Sequence, residues 1–244
     1  YEVMSKVNEV EVRKAALGEE FELQSEKVLN EVDEHTKIIV ICSPNNPSGN
    51  MMDPEKIRYI LETFSGLVVL DEAYIEFAGQ RGFVEELSVY PSLLILQTMS
   101  KAWGMAGVRI GKAFADARIL RVLNKIKYPY NVSRLNIRAA MKWLKKERAV
   151  KRRVRMIILQ REWLARQLES FSFVQKVYPS QANFLLLKVD DPADLIQFLR
   201  QRRIIICDRA NLKGCEQCIR ISIGTARQNK QLVKALKIYE RRML

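Results

Sequence analysis

Lys37-Ile-Ile-Val-Ile-Cys-Ser-Pro-Asn-Asn-Pro-Ser-Gly49 is the stretch that decides the fold. It opens with an apolar, β-branched run that is typical of a buried strand. The Pro, Asn, Ser and Gly residues that follow are turn formers. Asp53 and Pro54 then suit the N-cap and first position of a helix, which we expect to reach about Phe64. A strand, a polar turn and a helix in this order predict one unit of a parallel sheet covered by helices.

The same alternation continues along the first half of the chain. It predicts strands at Leu67–Leu70, Leu93–Thr98 and Arg109–Ala115, and a helix at Ala117–Lys127. Pro129 breaks the helical pattern. We therefore place a domain boundary here, with a larger α/β domain of mainly parallel sheet at residues 1–130 and a smaller α+β domain at residues 131–244.

The second half begins with a long helical region, and strands and helices then alternate. The predicted elements are a helical region from Ser133 to about Ser170, strands at Val174–Tyr178, Asn183–Val189, Ile204–Cys207 and Cys218–Ile223, a helix after Pro192, and a terminal helix with Leu232, Leu236, Tyr239 and Met243 on one face.

Composition limits the class of protein. Hydrophobic residues make up 48% and charged residues 28% of the chain, an ordinary globular balance. The apolar runs are far shorter than the ~20 residues that cross a bilayer, so no membrane partner is expected. Four cysteines without a visible signal peptide favour free thiols and the cytoplasm. The opening Tyr1–Val12 reads like the interior of a domain, so we expect a piece of a longer protein.

The net charge of +13 raises the question of nucleic acid. Between Lys142 and Arg166 there are ten Lys or Arg and two Glu, which gives this stretch +8. Its apolar residues recur at helical spacing, from Val150 and Val154 to Leu168. We interpret the run as the solvated face of an amphipathic helix and predict no nucleic-acid partner.

Polar residues follow the carboxyl ends of the three predicted strands, where open α/β sheets bind ligands. Asp71 ends a buried strand, and its carboxylate stays ionised if a positive group such as a protonated pyridine nitrogen is its partner. Lys101 follows another buried strand, where desolvation lowers a lysine pKa and favours the neutral amine that attacks aldehydes. Ser100 and Arg109 suit a phosphate group.

Asn46 and Tyr74 supply uncharged donors for a phenolic oxygen. Taken one at a time, these features have simpler explanations: a turn, a helix cap, a surface Ser-Lys pair. It is their order, each at the end of a strand, that indicates a site.

Four motifs carry a resemblance that extends over essentially the whole chain. They are Ser43-Pro-Asn-Asn-Pro-Ser-Gly, Asp71-Glu-Ala-Tyr-Ile-Glu-Phe, Ser100-Lys-Ala-Trp-Gly-Met-Ala-Gly-Val-Arg-Ile-Gly and Arg220-Ile-Ser-Ile-Gly-Thr225. Together they resemble the fold-type I, pyridoxal-phosphate-dependent aminotransferases, and most closely the histidinol-phosphate aminotransferases. The resemblance implies an aspartate aminotransferase-like fold, a homodimer, and transamination of histidinol phosphate with 2-oxoglutarate in histidine biosynthesis.

The resemblance also implies roles for single residues in binding the cofactor. Lys101 forms the imine to the cofactor and carries protons. Asp71 pairs with the pyridine nitrogen, so that the ring can act as an electron sink. Asn46 and Tyr74 hydrogen-bond the ring oxygen.

The remaining roles concern anionic groups. By the same resemblance, Ser100 and Arg109 hold the cofactor phosphate, and Arg220 grips the substrate carboxylate in a bidentate fashion. Asn183 lies where the family has an active-site asparagine.

The chain departs from the family pattern in three places, the mildest of which is Ser48 where threonine is commoner. The family's upstream phosphate loop and stacking aromatic residue are absent before Tyr1. Cys207 stands where an arginine contacts the substrate phosphate. Arg209 lies two residues further on and returns to the same face of a strand, so it is a candidate to replace the missing arginine. The alternative is that the substrate carries no phosphate.

Other functions are weighed against this one. Cys215 and Cys218 suggest zinc, but four ligands are wanted and only Cys207 adds a third, so no metal is expected. An aminotransferase for another, for example aromatic, amino acid and a phosphothreonine decarboxylase are the alternatives within the superfamily. An inactive fragment that serves as a structural or nucleic-acid-binding module is the alternative from another class.

Overall fold

The computed structural model describes residues 1–243, which form two four-stranded sheets and the helices that cover them. The strands are β1 Ile38–Cys42, β2 Leu67–Asp71, β3 Leu93–Thr98, β4 Gly111–Ala115, β5 Val174–Val177, β6 Phe184–Val189, β7 Cys207–Asp208 and β8 Cys218–Ser222. The α-helices are α1 Glu2–Val7, α2 Ser25–Asn30, α3 Pro54–Thr63, α4 Ala117–Ile126, α5 Arg134–Leu144, α6 Glu147–Leu168, α7 Pro192–Gln201 and α8 Ala226–Met243.

The first sheet has the order β1-β2-β3-β4. β1, β2 and β3 are parallel, and β4 runs antiparallel to β3. Cys42 and Asp71 are paired in register at the ends of their strands. Because three parallel strands end on the same edge, the polar residues that follow them are brought to one place. The prediction of a mainly parallel sheet is confirmed.

Helix α3 shows how local sequence builds this sheet's cover. The Asp53 side chain accepts a hydrogen bond from the Glu55 amide at 2.9 Å, and Pro54 occupies the first turn. Ile57 and Ile60 are fully buried against the sheet. Burying each such side chain contributes about 1.5–3 kcal/mol. The predicted cap, start and approximate end of this helix are confirmed.

The second sheet has the order β5-β6-β8-β7 and is antiparallel throughout. Leu185, Leu187 and Ile221 project from it into a core that includes Leu168 of α6 and Leu236 of α8. On the terminal helix, Leu232, Leu236 and Tyr239 are buried as predicted, whereas Met243 is 49% exposed.

Three predicted elements differ from those observed. The helical region from Ser133 to Ser170 is two helices, because a turn in which the Lys146 amide bonds to the Trp143 carbonyl separates α5 from α6. β4 begins at Gly111, since Arg109 adopts a left-handed conformation (φ 54°) that cannot continue a strand. Ile204 lies outside β7 because its amide bonds back to the Leu199 carbonyl of α7.

Helix α6 has the amphipathic character that its sequence predicts. Val150 and Val154 pack into a cluster with Tyr74, Phe77, Ala102 and Phe184, while Leu164 and Leu168 enter the core of the second sheet. Arg152 and Arg155 are exposed. One helix therefore contacts both halves of the molecule. No helix among residues 1–243 has the length and apolarity to span a bilayer.

Candidate active site

A cleft of about 560 Å³ opens at the carboxyl edge of the first sheet. Its lining includes four of the residues predicted for the site, together with a third cation: Asp71, Ser100, Lys101, Arg109 and Lys112. Three cations and one carboxylate therefore face one space. This charge balance suits a ligand with several negative charges and one cationic or donor group.

Asp71 is half-buried at the end of β2. Its Oδ1 accepts the Ala73 amide at 3.0 Å, and its Oδ2 accepts the Tyr1 hydroxyl at 2.5 Å. Burial raises the pKa of Tyr1, and the hydrogen bond to Asp71 adds to the rise. Burial, followed by the charge of Asp71, also raises the pKa of Cys42 to about 11. The Tyr1 hydroxyl and the Cys42 thiol are therefore neutral at pH 7. Neither group supplies a positive charge to pair with the Asp71 carboxylate.

Lys101 follows β3 and lines the cleft. Its side chain is exposed, whereas the sequence predicted that it would be desolvated. The reason is that the chain bends away from the sheet after Thr98, so the side chain leaves the core. Its Nζ lies 5.2 Å from the centroid of the Tyr74 ring. Tyr74 is buried and packs edge-on against Phe184, with 5.2 Å between the ring centroids.

Ser100 and Arg109 flank the same opening. The Thr98 hydroxyl donates to Ser100 Oγ at 2.9 Å, which orients that side chain. Arg109 donates from Nη1 to the Ala106 carbonyl at 3.2 Å, and its guanidinium is otherwise exposed. A hydroxyl and a guanidinium that line the same cleft can bind an anion there.

Arg220, on β8 of the second sheet, does not line the cleft but is connected to it through Phe184, which also packs against Tyr74. Its Nη1 donates to Asn46 Oδ1 at 2.6 Å, and its guanidinium lies 4.9 Å from the Phe184 ring centroid. Nη2 contacts Cys207 Sγ at 3.7 Å. Nε is buried and has no partner among residues 1–243. A guanidinium that donates from Nη1 to an exposed asparagine can exchange that contact for a carboxylate.

Two predicted residues are not brought into this arrangement. The Arg209 guanidinium donates to the carbonyl of its neighbour Asp208 at 3.1 Å, and no hydrogen bond among residues 1–243 joins it to Arg220. Asn183 accepts the Ile223 amide at its main-chain carbonyl, 2.9 Å away. Its side chain is half-buried beside Phe184.

Sequence reasoning missed three residues that connect the site. Phe184 touches both Tyr74 and Arg220. Arg153 and Arg161 of α6 donate to main-chain carbonyls of the loops that carry the predicted residues. The signal for Phe184 was its place beside Asn183 at the start of a buried strand. Arg153 and Arg161 lie in a stretch rich in Lys and Arg, and nothing in that stretch distinguishes them from the exposed basic residues.

Comparison with known proteins tests the resemblance directly. The family described as "Aminotransferase class I and II" matches residues 1–236. The chain belongs to this aminotransferase family. A histidinol-phosphate aminotransferase from Parabacteroides distasonis is 47% identical over 237 residues, which is 97% of this chain and 69% of that protein. One from Cytophaga hutchinsonii is 45% identical over 239 residues, 98% of this chain and 69% of that protein.

Solved structures agree with the aminotransferase fold. The histidinol-phosphate aminotransferase from Clostridium acetobutylicum superposes with a TM-score of 0.93 at 26% identity, covering 99% of this chain and 75% of that one. The enzyme from Sinorhizobium meliloti, in complex with pyridoxal-5'-phosphate, gives 0.87 at 24% identity and covers 100% and 68%. The predicted fold, an aspartate aminotransferase-like α/β domain with a smaller α+β part, is confirmed.

The residues of this aminotransferase fit pyridoxal phosphate. The carboxylate of Asp71 already accepts a hydroxyl donor at Oδ2, so it can accept a protonated ring nitrogen at the same atom. Lys101, Ser100 and Arg109 line the same cleft and supply an amine for the aldehyde and donors for the phosphate.

Proposed function

We propose that this chain transfers the amino group of histidinol phosphate to 2-oxoglutarate, giving imidazole-acetol phosphate and glutamate, as part of histidine biosynthesis. The observation that carries the chemistry is the shared cleft, in which Asp71 and Lys101 face one space with Ser100 and Arg109. Relatives that are named for this reaction and are 42–47% identical support the choice of substrate.

The cofactor, pyridoxal phosphate, supplies an aldehyde carbon and a ring that draws electrons away from the substrate's reacting carbon. In this proposal the Asp71 carboxylate binds the ring nitrogen and keeps its proton in place. The Lys101 amine would be the group that attaches the cofactor aldehyde, and as a free amine it could accept and return a proton at the substrate carbon. Tyr74, whose ring lies next to Lys101 Nζ, and Asn46 orient the ring oxygen.

Anion binding is divided between the two ends of the site. Ser100 and Arg109 would bind the cofactor phosphate and so hold the cofactor in the cleft that Asp71 also lines. Arg220 binds the carboxylate of the oxo acid through the guanidinium that now contacts Asn46. Asn183, next to Phe184, is assigned to the substrate side.

The cofactor assignment is tested by adding pyridoxal phosphate to the purified chain and recording its absorption spectrum. We expect the band of a lysine-bound cofactor, and its loss in Lys101→Ala. Lys112→Ala is the matched control, because Lys112 lines the same cleft and its removal should leave the band. A band that survives in Lys101→Ala and disappears in Lys112→Ala would overturn the assignment.

The substrate is tested by product analysis with histidinol phosphate, unphosphorylated amino acids and phosphothreonine. We expect transamination of histidinol phosphate and no release of carbon dioxide. Phosphothreonine is included because the L-threonine-O-3-phosphate decarboxylase from Porphyromonas gingivalis also superposes, with a TM-score of 0.81 at 25% identity, covering 98% of this chain and 73% of that one. Carbon dioxide from phosphothreonine would favour decarboxylation instead.

Phosphate recognition is assigned to Arg209, because Cys207 occupies the place beside Arg220. The present contact of Arg209 with the Asp208 carbonyl is a single bond at an exposed site, so the side chain is free to reorient. Arg209→Ala should reduce the preference for histidinol phosphate over the unphosphorylated alcohol. An unchanged preference would refute this role.

We also propose that the active form is a homodimer in the cytoplasm. Support for the dimer comes from apolar side chains that stay in water on adjacent segments, among them Ile126 at 72%, Tyr130 at 97% and Leu135 at 75% exposure. Support for the location comes from the cysteines, all of which are free thiols.

A further inference from the structure

Arg153 of helix α6 binds the segment that carries Lys101. Its Nη2 donates to the Ala102 carbonyl at 3.1 Å and to the Trp103 carbonyl at 2.9 Å. These are the two residues that follow Lys101 in the chain. A guanidinium from the second half of the protein thus holds the main chain next to the amine that the proposed function requires.

The turn after Lys101 is shaped around this guanidinium. The Gly104 amide closes the turn by bonding to the Lys101 carbonyl at 2.9 Å. Gly104 has φ +66°, and a Cβ at this position would lie 3.3 Å from Arg153 Nη2. On its other side the guanidinium lies 5.5 Å from the Trp143 ring centroid. Glycine is suited to this position both by conformation and by the close approach of the arginine.

Arg161 makes the equivalent contact two turns further along α6. It is buried, and its Nη1 donates to the Ala182 carbonyl at 2.8 Å and to the Phe77 carbonyl at 3.2 Å. Phe77 belongs to the segment after Asp71 and Tyr74, and Ala182 precedes Asn183. Burial lowers the pKa of Arg161.

Neither arginine forms an ion pair within residues 1–243. Arg161 is buried and Arg153 half-buried, and a cation withdrawn from water without a carboxylate costs stability unless other groups satisfy it, as main-chain carbonyls do here. A well-packed apolar side chain in place of either arginine would avoid this cost. What the arginines provide in return is a fixed position for the carbonyls that they bind.

We propose that Arg153 and Arg161 are positioning residues of the active site. Through them α6 fixes the main chain around Lys101 and after Tyr74, so that the amine and the Asp71 carboxylate are presented to the same ligand. Arg153 acts through Lys101 and touches neither substrate nor cofactor. The consequence for catalysis rests on the proposed function, whereas the ordering of the loop does not.

The ordering is tested on the chain without cofactor by hydrogen exchange. Arg153→Met keeps the apolar stem against Trp143 and removes both hydrogen bonds. We expect amide exchange at residues 102–105 to speed up about tenfold or more, since hydrogen bonds to a charged donor each contribute roughly that factor. Arg152→Met is the matched control, an exposed neighbour on the same helix, and should leave these amides unchanged.

The effect on the site is tested with pyridoxal phosphate. We expect Arg153→Met to weaken cofactor binding about tenfold, because the loop must then be ordered on binding. The pH at which the lysine-bound band changes should also shift. Arg153→Lys, which keeps a cationic donor, should recover part of both effects.

The outcomes separate the two proposals. Unchanged exchange at residues 102–105 in Arg153→Met would overturn the positioning role. So would a lower unfolding midpoint with unaltered cofactor affinity and band titration, which is the signature of a purely structural arginine. If the unaltered chain gave no lysine-bound band, the proposed function would fail while the exchange experiment still decided the role of Arg153.

Discussion

Arg220 joins the two sheets at the site through contacts with Asn46, Phe184 and Cys207. The planar guanidinium can stack on Phe184 while it presents two donors to a carboxylate, and an ammonium cannot do both. We therefore expect Arg220→Lys to raise KM for 2-oxoglutarate about tenfold or more, with a smaller effect on kcat. Steady-state kinetics measures this, with the exposed Arg227→Lys as control. An unchanged KM would remove Arg220 from carboxylate binding.

Glu76 allows a second prediction about a single residue, namely how much the burial of its carboxylate costs in stability. One of its carboxylate oxygens is buried without a hydrogen-bond partner, and burial raises its pKa. The folded state therefore binds the proton more tightly than the unfolded state, so this group's contribution is fully present below the ordinary glutamate pKa and is lost as the pH rises through the raised value.

Glu76→Gln removes the titrating charge. The variant should gain about 1 kcal/mol in unfolding free energy over the unaltered chain at about pH 8, and the gain should shrink at about pH 4.5. Urea unfolding at the two pH values measures the difference. The exposed Glu19→Gln is the control and should show no such trend. A gain that is equal at both pH values would argue against a buried charge.

The residue types at the strand ends were readable from the sequence because they follow apolar runs whose direction is fixed by the parallel sheet. Asp71, Ser100 and Lys101 meet in one cleft for this reason, and Arg109 joins them from just before the antiparallel strand β4. The contacts of Phe184, Arg153 and Arg161 were not readable. They depend on how α6 and the second sheet pack against the first, and no local pattern records that packing.

At the scale of elements, helix caps differ in how strongly they are coupled to the core. Asp53 caps α3, which buries Ile57, Ile60 and Leu61, whereas Asp116 caps α4, which buries none of its residues. Asp53→Ala should cost about 1 kcal/mol of global stability. Asp116→Ala should cost clearly less, because α4 can fray without opening the core. Urea midpoints compare the two, and equal losses would contradict this reasoning.

Element boundaries were predicted best where capping or burial fixes them. β3 and the start of α3 fall where the sequence puts them. The predictions failed at Lys145–Lys146, at Arg109 and at Ile204. All three failures arise from backbone geometry, which hydrophobic spacing does not encode. They are a short turn between two basic helices, a left-handed residue before a strand, and a hydrogen bond from the Ile204 amide to the last turns of α7.

At the scale of the whole molecule, helix α6 connects the two halves of the chain because it packs against both. Its first turns enter the Tyr74 and Ala102 cluster, and its last turns enter the core of the second sheet. The loop at residues 8–24 adds a second link, because Phe21 packs edge-on against Tyr178 with 5.0 Å between ring centroids. The predicted boundary near residue 130 lies between the two sheets in the sequence, and both contacts cross it, as does the hydrogen bond between Arg220 and Asn46.

The proposed homodimer makes a testable prediction about the surface around α4 and α5. Ile126, Tyr130 and Leu135 lie within ten residues of one another in the chain and are largely exposed. Such apolar side chains favour association with a like surface when they form one patch. We expect a dimer in sedimentation experiments at micromolar concentration, and a monomer for Leu135→Lys, since a buried unpaired cation opposes the interface.

A matched substitution makes this test specific. Val89→Lys places the same charge at a residue that is 66% exposed in a different segment, between β2 and β3, and should leave the dimer intact. Monomer formation by both variants would indicate an unspecific effect of charge. A monomeric unaltered chain, or a dimer that persists in Leu135→Lys, would show that this surface is not the interface. Because Asp71, Ser100, Lys101 and Arg109 line one cleft within a single copy, loss of the dimer should weaken cofactor binding without abolishing it. The absorption band of the Leu135→Lys monomer would measure this.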